Sequence, residues 1–64
     1  MTIAVEGMHS EACEKRVRMA LQSVGGLQVR EVRLGSVVVD GDAEQEAAAL
    51  KAIERAGYQP HIAA

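Results

Sequence analysis

The chain contains 64 residues, of which 48% are hydrophobic and 25% are charged. This length accommodates one small domain over residues 1–64, because even a single domain usually contains roughly 100 residues or more. Domains this small usually depend on a disulfide, a metal or very regular packing. Cys13 is the single cysteine and Tyr58 the single aromatic residue, so an internal disulfide is excluded and the core has to be aliphatic.

The charge and hydropathy of the chain exclude several classes of function. The net charge is −2 and the pI about 5.6. Without a basic run or aromatic residues to stack on bases, nucleic-acid binding is not expected. No apolar stretch approaches the ~20 residues of a membrane span, and residues 1–6 lack the features of a signal peptide. A free thiol without a secretion signal indicates the reducing cytoplasm. No membrane partner is expected.

The first part of the chain has the pattern of a strand followed by a helix. Ile3 and Val5 alternate with more polar neighbours, which is the period of a half-buried strand, and Gly7 ends that strand. Ser10 is a good N-cap for the helix that follows. The apolar positions of this helix recur at three- and four-residue steps, before a stop at Gly25-Gly26: Cys13, Val17, Ala20, Leu21 and Val24.

A hairpin is predicted in the middle of the chain. Apolar residues alternate over 27–34, but the alternation slips between Val29 and Val32, which predicts a β-bulge. Gly35-Ser36 is the predicted two-residue turn, placed at the end of the molecule away from Cys13. The returning strand, Val37–Val39, is apolar on both faces and is therefore predicted to be central.

The last part of the chain predicts a second helix and a short strand. Asp42 and Gln45 form a capping-box pattern ahead of a helix over 43–56 that ends at Gly57. The apolar stripe assigned to this helix is Ala47, Leu50, Ile53 and Ala56. Pro60 makes the final strand, residues 58–62, an edge strand, on which His61 should face solvent.

The element order is therefore β-α-β-β-α-β. This order predicts an α+β, ferredoxin-like sandwich, in which two helices cover one face of a four-stranded antiparallel sheet.

The loop and first helical turn over residues 7–13 are the candidate site. A thiol in the first turn of a helix has its thiolate stabilised by the helix dipole, and thiolate is the ligand that soft metals such as Cu(I) prefer. The neighbouring charges act in both directions, so the sequence leaves the net pKa shift of the thiol open: Glu11 and Glu14 oppose the thiolate, and Lys15 and Arg16 favour it. His9 could add an imidazole ligand or could simply be solvated. Cys13 also lies on the apolar stripe with Val17, so it could alternatively be a small buried hydrophobic residue. A nucleophilic enzyme is disfavoured, because no base other than His9 is near and a pocket would be cramped.

Three segments of the chain are similar to a known family. Val5-Glu6-Gly7-Met8, Val32-x-Leu34 and Ala52-Ile53-Glu54-Arg55-Ala56-Gly57-Tyr58 resemble the heavy-metal-associated domain. That family includes copper chaperones of the CopZ type and the N-terminal modules of copper-exporting P-type ATPases. The resemblance implies a Gly-Met-x-Cys-x-x-Cys motif whose two cysteines bind Cu(I) in near-linear geometry. It also implies that Met8 is buried under the loop and that Tyr58 packs beside the metal.

The chain departs from the family motif at one position. Gly7, Met8 and Cys13 match the motif, His9 takes its variable position, and Ser10 stands where the first cysteine is expected. A hydroxyl is a very poor Cu(I) ligand, so the two-thiolate site cannot form within one chain. Both an engineered Cys-to-Ser replacement and a natural divergence would produce this sequence.

The resemblance leads to one main functional expectation. The chain would be a small cytosolic metallochaperone-type protein, not an enzyme, with an atypical Gly-Met-His-Ser-x-x-Cys site comprising His9, Ser10 and Cys13. Cys13 would bind Cu(I), or Zn or another soft metal, either within one chain or bridged across a homodimer of chains that are monomeric without metal. The metal would pass by thiolate exchange to a copper-transporting P-type ATPase or a copper-responsive regulator.

An alternative function also fits the sequence. The chain could keep the fold as a protein-interaction or regulatory domain that binds little metal and docks through the surface near the first helix. Because the chain starts at Met1 and ends shortly after the last strand, we expect a free-standing protein.

Overall fold

Four strands and two helices alternate along the chain in the order predicted from the sequence. The computed structural model describes residues 1–63. The elements are β1 (Thr2–Glu6), α1 (Glu11–Gln22), β2 (Gln28–Arg33), β3 (Ser36–Asp40), α2 (Ala43–Arg55) and β4 (Gln59–Ala63). The strands form one antiparallel sheet in the order β2-β3-β1-β4. This is the predicted ferredoxin-like architecture, with β3 in the interior of the sheet and β4 at its edge.

The core lies between the two helices and one face of the sheet. Ile3 of β1 is the register partner of Val37 on the neighbouring strand β3, and both side chains are fully buried. The remaining core residues come from both central strands, both helices, the site loop and the connection between α2 and β4: Val5, Met8, Val17, Leu21, Val39, Ala49, Ile53 and Tyr58. No polar or charged side chain of residues 1–63 is buried. Burial of these mostly aliphatic side chains is therefore the main contribution to the core. Neither helix is long and apolar enough to cross a membrane within this part of the chain.

The β2–β3 hairpin contains the predicted bulge but turns one residue earlier than expected. The register between the strands shifts between Val29 and Glu31, inside the region where the alternation slips. Arg33 pairs with Ser36, so the two turn residues are Leu34 and Gly35 rather than Gly35 and Ser36. Gly35 has a φ of +88°, a left-handed conformation that glycine adopts without strain. β3 therefore begins at Ser36, where the backbone does not need a left-handed conformation.

α2 begins with the predicted capping box, but its buried face differs from the predicted stripe. Asp42 accepts a hydrogen bond from the backbone N–H of Gln45, whose side chain accepts one from the Asp42 backbone in return, both at 2.8 Å. The fully buried residues are Ala49 and Ile53, whereas Ala47 is exposed. Residues four apart share a helix face, while a series of three-residue steps drifts around the helix. This drift places Ala47 outside the core.

The β2–β3 turn and the start of β4 lie at the same end of the sheet as the candidate site. The backbone N–H of Val5, near the end of β1, donates to the carbonyl of Gly35 at 2.8 Å. Glu6, the last residue of β1, pairs with Gln59 at the start of β4. The expectation that the hairpin turn is remote from the site is therefore wrong, because β1 and β3 run antiparallel. His61 of β4 is exposed as predicted, with its Nε2 2.7 Å from a carboxylate oxygen of Glu6.

Candidate metal centre

A loop of residues 7–10 connects β1 to α1 and is anchored by its first two residues. Gly7 has a φ of +100°, and a Cβ at this position would lie 3.4 Å from ring carbon Cδ1 of Tyr58. Glycine thus permits both the left-handed turn and the close approach of the ring. Met8 packs in the core with 7% of its surface exposed, whereas His9 and Ser10 are exposed. Met8 therefore anchors the loop in the core, while His9 and Ser10 are open to solvent.

Ser10 occupies the N-cap position of α1, but its side chain does not cap the helix. Its backbone is extended (φ −154°, ψ 169°), and its carbonyl accepts the backbone N–H of Cys13 at 3.0 Å. The hydroxyl makes no capping hydrogen bond and instead donates to Sγ of Cys13, 3.7 Å away. The prediction of a side-chain cap is therefore wrong, because the sulfur in the first helical turn takes the hydroxyl that a capping serine would direct at a backbone N–H. The side chains of Ser10 and Cys13, the two positions where the family motif has cysteines, are therefore in contact.

The environment of Cys13 favours its thiolate form. The pKa of the thiol is lowered from 9.0 to about 6, first by the Tyr58 hydroxyl, then by the backbone of His9 and by the hydroxyl of Ser10. Each of these groups donates a hydrogen bond to the charged sulfur, which stabilises it relative to the neutral thiol. Desolvation acts weakly in the opposite direction, because the side chain is only partly buried. At neutral pH Cys13 is therefore mainly a thiolate, the form that binds metals.

Tyr58 links the sulfur to a cation on α1. The pKa of its hydroxyl is raised, mainly because that hydroxyl donates to the Cys13 sulfur, while Arg16 acts in the opposite direction. Arg16 therefore acts on the same hydroxyl that contacts the thiolate. The sequence already placed Arg16, three residues after Cys13, among the cations near the thiol, but its action through the Tyr58 hydroxyl was not predicted.

The structure brings together some of the predicted site residues but not all of them. Cys13, Ser10 and Tyr58 meet around the sulfur, and Met8 lies in the core below the loop. His9 contributes its backbone to the thiolate, and its exposed imidazole makes no hydrogen bond in the described structure. No group of three His, Cys, Asp or Glu residues within positions 1–63 could hold a metal ion. One chain therefore offers a single thiolate, with the exposed His9 imidazole as a second candidate donor in the loop, and this set fits a soft metal ion that receives a further ligand from elsewhere.

Comparisons with known proteins agree with this geometry. The sequence profile described as "Heavy-metal-associated domain" matches residues 2–59. Among curated proteins, the chain is 40% identical over 62 residues to Copper-transporting ATPase 2 of Rhizobium meliloti (strain 1021). That alignment covers 92% of this chain but 8% of the relative, so the chain spans only a small part of the length of that transporter.

Two solved structures have the same fold. The CopA C-terminal metal binding domain superposes with a TM-score of 0.77 at 36% identity, covering 92% of this chain and 81% of the other. A copper binding domain from HMA7, a P-type ATPase, also gives a TM-score of 0.77, at 31% identity, covering 100% of this chain and 92% of the other. The profile match over nearly the whole chain and these superpositions lead to one assignment. The chain belongs to the heavy-metal-associated domain family.

Proposed function

We propose that this domain binds Cu(I) through the thiolate of Cys13 and passes the ion on by thiolate exchange. The observation that carries the proposal is the position of Cys13 in the first turn of α1, next to an exposed loop, where the Ser10 hydroxyl donates to its sulfur and the pKa of the thiol is lowered to about 6. A sulfur that is already ionised at neutral pH binds a soft cation without first losing a proton. The family and its copper-transporting relatives support copper as the metal. Zn or another soft ion would use the same donor.

The second ligand of the ion comes from outside the chain. Ser10 offers a hydroxyl, which binds Cu(I) poorly, and no further thiolate is present in the sequence. Two copies can bridge one ion through their Cys13 sulfurs, giving a metal-dependent homodimer. In transfer, a thiolate of the target protein forms a bond to the ion, and the bond from the ion to Cys13 then breaks. Cys13 leaves as a thiolate, so that no electron is transferred and the charge balances.

The setting of this transfer follows from the same proposal. The target is a thiolate-bearing protein of copper transport, either a P-type ATPase or a copper-responsive regulator, because the relatives are domains of such ATPases. Exchange between free thiolates requires a reducing compartment, which is the cytoplasm. The role is that of a metallochaperone-type carrier and includes no catalytic step.

A competition titration with a chromogenic Cu(I) chelator under anaerobic, reducing conditions tests the proposal. The protein should withdraw Cu(I) from the chelator, and Cys13→Ala should abolish that withdrawal. Ser23→Ala is the matched control, because Ser23 lies at the far end of α1 and should leave affinity unchanged. Equal affinity of Cys13→Ala and the unmodified protein would refute the proposal. Sedimentation with and without Cu(I) measures whether a metal-bridged dimer forms.

A second candidate function is a protein-interaction or regulatory domain with little metal binding. The observation that favours it is the single thiolate of the site, together with the lack of a three-ligand group within residues 1–63. The same titration separates the two functions. Cu(I) affinity no greater than that of a short peptide with one cysteine would support the interaction domain and exclude the carrier.

A further inference from the structure

Within residues 1–63, the basic residues of the sheet form ion pairs, whereas those of the helices do not. On β2, Arg30 forms an ion pair with Asp40 at 2.5 Å, and Arg33 forms one with Glu31 at 2.5 Å. The remaining five of the seven basic residues are on the helices: Lys15, Arg16, Arg18, Lys51 and Arg55. None of these five forms an ion pair with another residue in the range 1–63. On α2, Lys51 and Arg55 are therefore exposed side chains whose charges are available to a partner.

Two of these basic residues border a groove between the helices. The groove has a volume of about 430 Å³ and lies between the C-terminal end of α1 and the outer side of α2. Ala48 and Ala52 contribute small side chains to its lining, and Lys51 and Arg55 are exposed beside them. Lys51 and Arg55 are four residues apart on one helix face, where like charges repel each other. An anionic partner would relieve this repulsion.

The nearby end of α1 does not supply the missing negative charge. The Ala20 carbonyl accepts the Ser23 hydroxyl at 2.6 Å, and the Gly25 carbonyl accepts the side-chain N–H of Gln45 at 3.2 Å. The Leu21 carbonyl accepts the backbone N–H of Val24 at 3.0 Å. With these carbonyls occupied, the helix end offers few acceptors to Lys51 or Arg55.

We propose that this groove binds an acidic segment of a partner protein. Glutamate or aspartate side chains of the segment pair with Lys51 and Arg55, while its small apolar side chains pack over Ala48 and Ala52. The groove shares no residue with the loop and first helical turn around Cys13, so this inference goes beyond the metal-binding function. An anionic membrane fits less well, because the chain contains no Trp or Phe and its single Tyr is buried. Such aromatic side chains normally anchor a protein in a membrane interface.

The probe is a twelve-residue, acetylated, alanine-rich peptide with four glutamates, and its counterpart carries glutamine at the same four positions. Each is titrated into isotope-labelled, metal-free protein at low salt, and backbone amide shifts are followed by NMR. The glutamate peptide should shift the amides of Ala48, Ala52 and Val24, and the glutamine peptide should not. Because the protein is metal-free, this result does not depend on whether Cys13 binds copper.

Paired substitutions locate the interaction. Lys51→Ala with Arg55→Ala should weaken binding of the glutamate peptide roughly tenfold, the effect of losing two exposed charge pairs. Lys15→Ala with Arg18→Ala is the matched control, because it removes the same charge from the flank of α1 that faces β2. The control should change affinity less than about twofold, beyond weak long-range screening. Alanine favours helix, so both double variants should fold.

Four results would overturn the inference. The glutamine peptide could bind as tightly as the glutamate peptide, or the two double variants could lose the same affinity for the glutamate peptide. Phosphatidylserine vesicles could bind more tightly than the peptide through Lys51 and Arg55, or the protein could self-associate through the groove before any peptide is added.

Discussion

Restoring a second thiolate beside Cys13 should convert the site into a chelate. In Ser10→Cys, the new sulfur would lie where the Ser10 oxygen now contacts Sγ of Cys13 at 3.7 Å. With metal–sulfur bonds of about 2.3 Å, sulfurs 3.7 Å apart subtend an angle of about 107° at the metal. A linear arrangement requires a separation of about 4.6 Å, an opening of about 0.9 Å. Residue 10 is exposed and can make this movement without disturbing the core.

The expected gain in affinity is large. Loss of a group that merely orients a metal ligand costs 10–100-fold in affinity, so adding a ligand should exceed this range. We expect Ser10→Cys to bind Cu(I) at least about 100-fold more tightly, which corresponds to about 2.7 kcal/mol. Stability should change by less than about 0.5 kcal/mol, because the Ser10 side chain makes no capping hydrogen bond to lose.

Competition with a chromogenic Cu(I) chelator in excess reductant measures this gain. Ser23→Cys is the matched control, because it also adds one thiol, but at the opposite end of α1. The control should bind like the unmodified chain. If Ser10→Cys and Ser23→Cys gain the same Cu(I) affinity, any added thiol has this effect wherever it lies. The interpretation that Ser10 occupies the position of a missing metal ligand is then wrong. An unchanged affinity in Ser10→Cys would refute it as well.

Three further predictions concern reactivity and stability. The rate of Cys13 alkylation by iodoacetamide should reach half its maximum near pH 6, and Tyr58→Phe should move that midpoint upward because a hydrogen-bond donor to the thiolate is lost; an unmoved midpoint would remove Tyr58 from this role. Asp42→Ala, which breaks the capping box, should lower the free energy of unfolding by about 1 kcal/mol in urea titrations, and no loss would mean that α2 begins independently of its cap. Leu21→Ala should cost about 3 kcal/mol in the same assay, since Leu21 is fully buried, and a cost below about 1 kcal/mol would show that the helix can collapse onto the sheet.

The sequence predicted most of the fold because its signals are local and agree with one another. The order of elements follows from alternation and helical stripes, and the capping box of Asp42 and Gln45 depends on two residues three apart. The bulge between Val29 and Glu31 was visible as a slip in the alternation. The buried face of α2 was harder to predict, because Ala47 and Ala49 belong to a run of identical residues. Within a run of identical residues, the sequence does not indicate which position of the helix faces the core.

The details of the site depended on contacts that no local pattern encodes. A serine before a helix normally caps it, and only the nearby sulfur of Cys13 explains why Ser10 turns away from the backbone. The lowered pKa of Cys13 requires the Tyr58 hydroxyl, which is 45 positions further along the chain and is brought close by the packing of α2 and β4. The groove beside Lys51 likewise exists only once the two helices pack together.

The two outer strands of the sheet limit how copies of this domain can associate. β2 carries a bulge and three charged residues, Arg30, Glu31 and Arg33, while β4 carries Pro60, which has no N–H to donate. A strand from another molecule would therefore find an interrupted row of hydrogen-bonding groups on either side. At high concentration, and during folding, when exposed edges recruit neighbours into aggregates, the sheet should remain closed to extension. Copies of this domain should therefore associate through side-chain surfaces rather than by adding strands to the sheet.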